Sequence, residues 1–144
     1  MDISKRQLRK ARILAMQVIY STERNEVDNW EGVFEAALMM PETSVASHEA
    51  VKFAKSIVAS YYDLAEHIDS IISKHIQNWV IGRLGAIDRS ILRIAIAELI
   101  SIKTPLKVVI SEAVDIAKVF GTDESSKFIN GVLDATKQDI DYTE

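Results

Sequence analysis

Residues 82–101 read GRLGAIDRSILRIAIAELIS, and the architecture of the chain follows from them. Leu84, Ile87, Ile91, Ile94, Ala95 and Leu99 recur at spacings of three and four, which makes one apolar stripe down an α-helix. Leu92, Ile96 and Ile100 fall on other faces, so nearly the whole circumference must be covered. A helix of that kind belongs at the centre of a helical bundle. Its few charges, Asp88, Arg89, Arg93 and Glu98, are then informative, because a buried charge is costly unless paired. Arg93 in particular calls for a carboxylate, for which Glu98 and Glu112 are the sequence candidates.

Working outward, a first helix is expected from about Ser4 to Thr22. Leu8, Ala11, Ala15, Val18 and Ile19 form its apolar face, and five basic residues spread over the opposite side. Asp28 with Glu31 three residues later resembles a capping box for a second helix, and Pro41 lies beyond its end. Ser47 is a good N-cap for a long apolar rhythm that runs to Ile72, with a break expected near Tyr62–Asp63. Trp79 and Val80 lead into the central helix. Thr104-Pro105 marks a further start, Thr as N-cap and Pro at the first helical position, and Gly121 a left-handed stop. Thr122 or Asp123 caps a last helix, and the tail from Asp139 is expected to fray. No strand alternation is seen. The expected fold class is all-α, a bundle of about seven helices in two small helical lobes. The 144 residues form a single domain, with an N-terminal lobe over about 1–80 and a C-terminal lobe over about 81–138. The loop Glu42–Ala46 is a further candidate boundary.

Composition narrows the function classes. Hydrophobic residues make up 48% of the chain, ample for a packed interior. Without cysteine there is no disulfide, thiolate metal site or cysteine nucleophile. No segment approaches the ~18 uninterrupted apolar residues of a membrane span, and the basic N-terminus lacks the apolar core of a secretory signal. A cytoplasmic protein is expected. The net charge of −4 speaks against bulk nucleic-acid binding, but the charge is unevenly placed. Lys5, Arg6, Arg9, Lys10 and Arg12 face Asp2 alone in the first twelve residues, a basic end on an acidic body. These cations sit at a helix N-terminus, where the macrodipole disfavours them. Folding gains nothing obvious from that placement. An anionic partner explains it better than a merely solvated face.

Motifs for catalysis are missing. His48, His67 and His75 are too scattered for a metal site, and no HExxH, GxSxG, Walker-A or dinucleotide pattern occurs. Gly82-Arg83-Leu84-Gly85 matches the GxxG of KH domains, but that module needs a sheet. Carboxylate pairs such as Asp63/Glu66 and Glu112/Asp115 read as ordinary helix charges. No enzyme, cofactor or metal is expected.

Three segments, IDRSILRIAIAEL, PLKVVISEAVDIAKVFG and SSKFINGVLD, resemble the closing motifs of the NusB family of bacterial transcription antitermination factors. RKARILAMQVIYS resembles that family's opening helix. The resemblance covers nearly the whole chain, strongest from Leu84 to Asp134 and weak between Asn25 and Ser47. It implies a non-enzymatic protein that binds single-stranded boxA RNA together with NusE, a small-subunit ribosomal protein. The pair would join the transcription elongation complex and promote transcription of ribosomal RNA operons. By the same resemblance Arg9 and Arg12, with Lys5, Arg6 and Lys10 beside them, meet RNA phosphates. Lys127 and Phe128 meet the RNA strand, and Asp88 faces the ribosomal-protein partner. Gln7 and Leu8 interrupt the basic run that family members carry more densely. The alternative from another class is a protein-interaction scaffold or homodimer that uses the basic N-terminal helix.

Overall fold

The computed structural model describes residues 3–41, 46–76 and 84–140. At its centre lies α5, Ala86–Ser101, in which every residue from Ser90 to Leu99 is buried. Around it stand α1 (Lys5–Arg24), α3 (His48–Asp63), α4 (Ala65–His75), α6 (Leu106–Phe120) and α7 (Ser125–Ala135), all packed directly against it. A shorter helix, α2 (Trp30–Leu38), lies against α1, and a 3₁₀ turn, Thr136–Gln138, follows α7. No strand occurs among the described residues. One apolar cluster runs from Ala11 and Ile19 through Ile57, Ile72 and Ile96 to Ile129 and Leu133. Leu92, Ile96 and Leu99 are fully buried in it, each worth about 1.5–3 kcal/mol by transfer from water.

The charges of α5 are paired as burial demands, though not with the expected groups. Arg93 is gripped by Asp69 of α4, with both distances 3.0 Å, and by Glu23 of α1 at 3.0 Å. Arg89 holds the same Glu23 at 2.9 Å. Glu98 and Glu112 are therefore not the partners of Arg93. Glu98 lies five positions on, about 140° around the helix, and faces the other end of α1. Burial raises the Glu23 carboxyl, but hydrogen bonds from Arg89 and Arg93 outweigh it and hold the group below its ordinary value.

Helix ends show which local signals operate. Ser4 and Ser47 cap α1 and α3, their hydroxyls accepting from the N–H groups of Gln7 and Ala50, both at 3.1 Å. The cap of α2 is Asn29 rather than Asp28; its Oδ1 accepts from Gly32 N–H at 3.3 Å. Trp30 then fastens α2 to α3 by stacking on Tyr62, with centroids 6.1 Å apart. The break in the long rhythm falls at Leu64, one residue past the expected site. Pro105 rather than Thr104 occupies the capping position of α6, its carbonyl accepting from Val109 N–H at 3.1 Å. Glu124, not Thr122 or Asp123, precedes α7, and no side chain caps that helix.

Gly121 stops α6 without a left-handed residue, since its φ is −93°. A Cβ there would lie 2.6 Å from Ser125 Cβ and 2.9 Å from the Ala117 carbonyl, so glycine is required for close approach. Left-handed backbone instead occurs at Glu26 and Lys103, with φ of 51° and 62°. Nor does the tail fray at Asp139. Its carboxylate accepts from Lys74 Nζ at 2.6 Å and pairs with His75, and Ile140 is buried. These two partners, His75 first, hold the Asp139 carboxyl below its ordinary value. Trp79, Val80, Gly82, Arg83 and most of the Glu42–Ala46 loop lie outside the described residues.

Candidate nucleic-acid interface

The capped N-terminus of α1 fixes the direction in which each basic residue points. Lys5, Arg6, Arg9 and Lys10 line a cleft of about 470 Å³, together with Ile13 and Glu112. Lys5, Arg6 and Lys10 have no ion pair among the described residues. Gln7, which interrupts the basic run, serves the fold instead. Its Oε1 accepts from Ser47 N–H at 2.8 Å and ties α1 to the start of α3.

Arg12 points inward. It is 5% exposed, its guanidinium fork donates to Glu98 at 2.8 and 2.7 Å, and its Cζ lies 5.6 Å from the Phe53 ring centroid. Glu112 completes the arrangement, 3.5 Å from the same guanidinium. A charge so enclosed is not on the accessible face, which corrects the expectation that Arg12 reaches phosphate. The paired fork instead joins α1 to α5 and α6. The sequence held the clue, because Arg12 lies seven positions before Ile19, about 20° from the apolar stripe.

Arg9 stands between the interior and the cleft, with 45% of its side chain exposed. It donates to Glu112 at 3.1 and 3.0 Å and to Asp115 at 2.8 Å. The Glu112 hydrogen bond, followed by its charge, raises the Arg9 pKa, so the cation is permanent. Glu112 is nearly buried and serves both arginines, whereas Asp115 is 41% exposed in its side chain and serves Arg9 alone. The sequence pattern tied neither acid to Arg9: the pair read as ordinary helix charges, and Glu112 otherwise only as a candidate partner of Arg93.

Through Asp115 the cleft reaches the far helices. Asp115 and the exposed Lys127 of α7 line one groove, so the structure brings Arg9 and Lys127 to one side of the molecule. Phe128 is half-buried and packs against the core, leaving only part of its ring accessible. Asp88 lies elsewhere. It sits in the first turn of α5 beside Arg89, whose partner Glu23 is fourteen residues along α1 from Arg9, about 21 Å at the α-helical rise. The basic cleft and Asp88 thus mark opposite ends of α1. No cluster of three or more His, Cys, Asp or Glu residues suited to a metal ion occurs among the described residues. No helix among them is long and apolar enough to cross a membrane.

The sequence matches the NusB family over residues 9–138, spanning α1 to α7 apart from the first residues of α1. The chain belongs to the NusB family. A transcription antitermination protein NusB from Chloroherpeton thalassium is 43% identical over 143 residues, covering 97% of this chain and 64% of that relative. The match spans less than two thirds of that relative's length. A NusB relative from Myxococcus xanthus is 38% identical, covering 88% of this chain and 91% of its own. Among solved structures, NusB of T. maritima superposes with a TM-score of 0.85 at 29% identity, covering 97% of this chain and 94% of its own. A structure of antitermination factors NusB and NusE in complex with dsRNA superposes with a TM-score of 0.82 at 32% identity, covering 94% and 98%. The NusB family is one of transcription antitermination proteins, not of enzymes.

Proposed function

We propose that this NusB family member is a cytoplasmic, RNA-binding antitermination factor that takes up single-stranded boxA RNA together with the ribosomal protein NusE. In that role it joins the elongation complex and promotes transcription of ribosomal RNA operons. The observation that carries the reading is the cleft at the head of α1, where Lys5, Arg6 and Lys10 stand unpaired among the described residues of an acidic chain. A similar NusB in complex with NusE and RNA supports both partners.

The residues divide the work. Lys5, Arg6, Arg9 and Lys10 meet phosphates, and displacement of condensed counterions supplies most of the affinity. Lys127 meets the strand across the groove, and the accessible part of Phe128 meets a base. Arg12 holds α1 in place from behind and touches no RNA. Asp88, at the other end of α1, faces NusE, so protein and RNA need not compete for one surface.

The test is an Arg6→Gln/Lys10→Gln variant, since neither side chain holds a carboxylate among the described residues, and the variant should fold as the parent does. RNA affinity should fall about ten-fold at low salt, and the slope of log K against log salt should flatten by about 1.4 for a single strand. Helicity should be unchanged. The solved complex holds duplex RNA, so single- and double-stranded forms of one boxA sequence are titrated side by side, with the single strand bound more tightly. Unchanged affinity in the variant would overturn the assignment of the cleft.

A further inference from the structure

Beyond the α1 cleft, a second basic surface runs between α6 and α7. It is a groove of about 640 Å³ with Lys107 and Lys118 on one wall, Lys127 on the other, and Ile110 and Val114 among its lining. Lys107 and Lys118 are eleven positions apart on α6, which places them about 20° from one line along the helix and about 16 Å apart along its axis. Ile110 and Val114 lie between them. None of the three lysines has an ion pair among the described residues, and the one carboxylate lining the groove, Asp115, is engaged by Arg9. The groove therefore keeps a net positive charge on a chain whose formal charge is −4. That excess has no structural use, since no carboxylate is tied by it.

We infer that the α6/α7 groove is a second segment of the RNA path, with Lys107 and Lys118 binding the phosphates of nucleotides beyond those in the α1 cleft. The Arg9–Asp115 pair is the divide between the two segments, because Arg9 lines one and Asp115 the other. A separation of about 16 Å matches roughly five phosphates of a stacked strand at ~3.4 Å each. The aliphatic side chains of Ile110 and Val114 between the lysines suit sugar and base faces. Contacts of this kind are sequence-tolerant, so the groove adds length-dependent affinity rather than base selectivity. The inference rests on the proposed RNA function and extends its site.

The experiment compares two boxA-containing RNAs, one of about 5 and one of about 15 nucleotides, within the range of single-strand site sizes. Each is titrated by fluorescence anisotropy with the full chain, alone and with NusE. The parent chain should bind the longer RNA more tightly and with a steeper salt slope. Lys107→Gln/Lys118→Gln should leave the short RNA unchanged, weaken the long one roughly five-fold and flatten its slope by about 1.4. Lys52→Gln/Lys55→Gln removes the same charge from an unrelated cleft beside Trp30 and should change neither. Equal loss in that control, or an unchanged long-RNA affinity in the groove variant, overturns the inference. Loss of NusE binding with RNA affinity intact overturns it too, and assigns the groove to a protein. If the parent binds neither RNA under any condition, the proposed function falls and takes the inference with it. That result is distinct from failure of the groove alone, in which both RNAs bind with one affinity and one slope.

Discussion

Arg12→Met separates a structural arginine from a binding one. In the folded chain Arg12 and Glu98 are 5% and 1% exposed and share two hydrogen bonds of 2.8 and 2.7 Å. Removing the guanidinium leaves Glu98 buried without its partner, a loss of about 3–5 kcal/mol for breaking a buried pair. Glu112 limits the damage to that range, because it keeps both hydrogen bonds from Arg9. Against a total stability of about 5–15 kcal/mol this is a large fraction. At roughly 2–4 °C per kcal/mol for a chain of about this size, the thermal midpoint falls by about 6–20 °C. Urea unfolding followed by circular dichroism should show a lower midpoint at an unchanged m-value. The double variant Arg12→Met/Glu98→Leu should recover most of the loss, since an apolar pair of similar volume replaces the ion pair. Held well below its midpoint, Arg12→Met should bind RNA within about two-fold of the parent, because no phosphate contact is lost. A parental urea midpoint would refute the reasoning. So would folded Arg12→Met losing RNA affinity as fully as Arg6→Gln/Lys10→Gln.

Other expectations follow from the same geometry. Asp115→Asn removes the negative charge beside Arg9 and the carboxylate lining the groove, so RNA affinity measured by anisotropy should rise about three-fold, with a salt slope steeper by about 0.7. Asp88→Lys should weaken NusE binding in a pull-down or calorimetric titration while leaving binding of RNA by the chain alone unchanged. Ile96→Ala, at a fully buried position of α5, should cost about 2–5 kcal/mol in urea unfolding. Glu23 and Asp139 have carboxyl groups held below their ordinary values of 4.5 and 3.8 in the folded state. Their contribution is complete above those values and lost as the pH falls through the lowered ones. The urea midpoint should therefore decline as the pH falls below about 5, and a rise on acidification would contradict the pairing.

The central helix was readable from its own residues, because apolar side chains on every face require cover from neighbours. The caps at Ser4 and Ser47 were equally local, set by a hydroxyl in reach of an N–H three residues on. Arg93 shows where local reading stops. That it needs a carboxylate follows from burial, but the choice of Asp69 and Glu23 depends on where α4 and the end of α1 come to lie against α5. Gly121 carries a similar lesson. Glycine signals a left-handed stop or a close approach, and only the position of Ser125 shows that close approach is the reason here. Lys103 takes the left-handed conformation that no residue preference marks at that site. In the candidate site, the basic head of α1 was legible as composition. Its division was legible only in part: Arg12 lies near the apolar stripe by helical angle, yet its ion pair with Glu98 joins residues 86 positions apart. Lys107 and Lys118 carried no signal in sequence, since isolated lysines on a helix are ordinary until a second helix makes them the wall of a groove.

The most direct test of RNA loading is anisotropy of labelled single-stranded boxA RNA titrated with this chain, with NusE, and with the two together. Tighter binding by the two together than by either alone is the predicted result, together with weakening as salt rises. No binding by the folded chain in the presence or absence of NusE would contradict the account and leave the basic cleft to some other acidic partner.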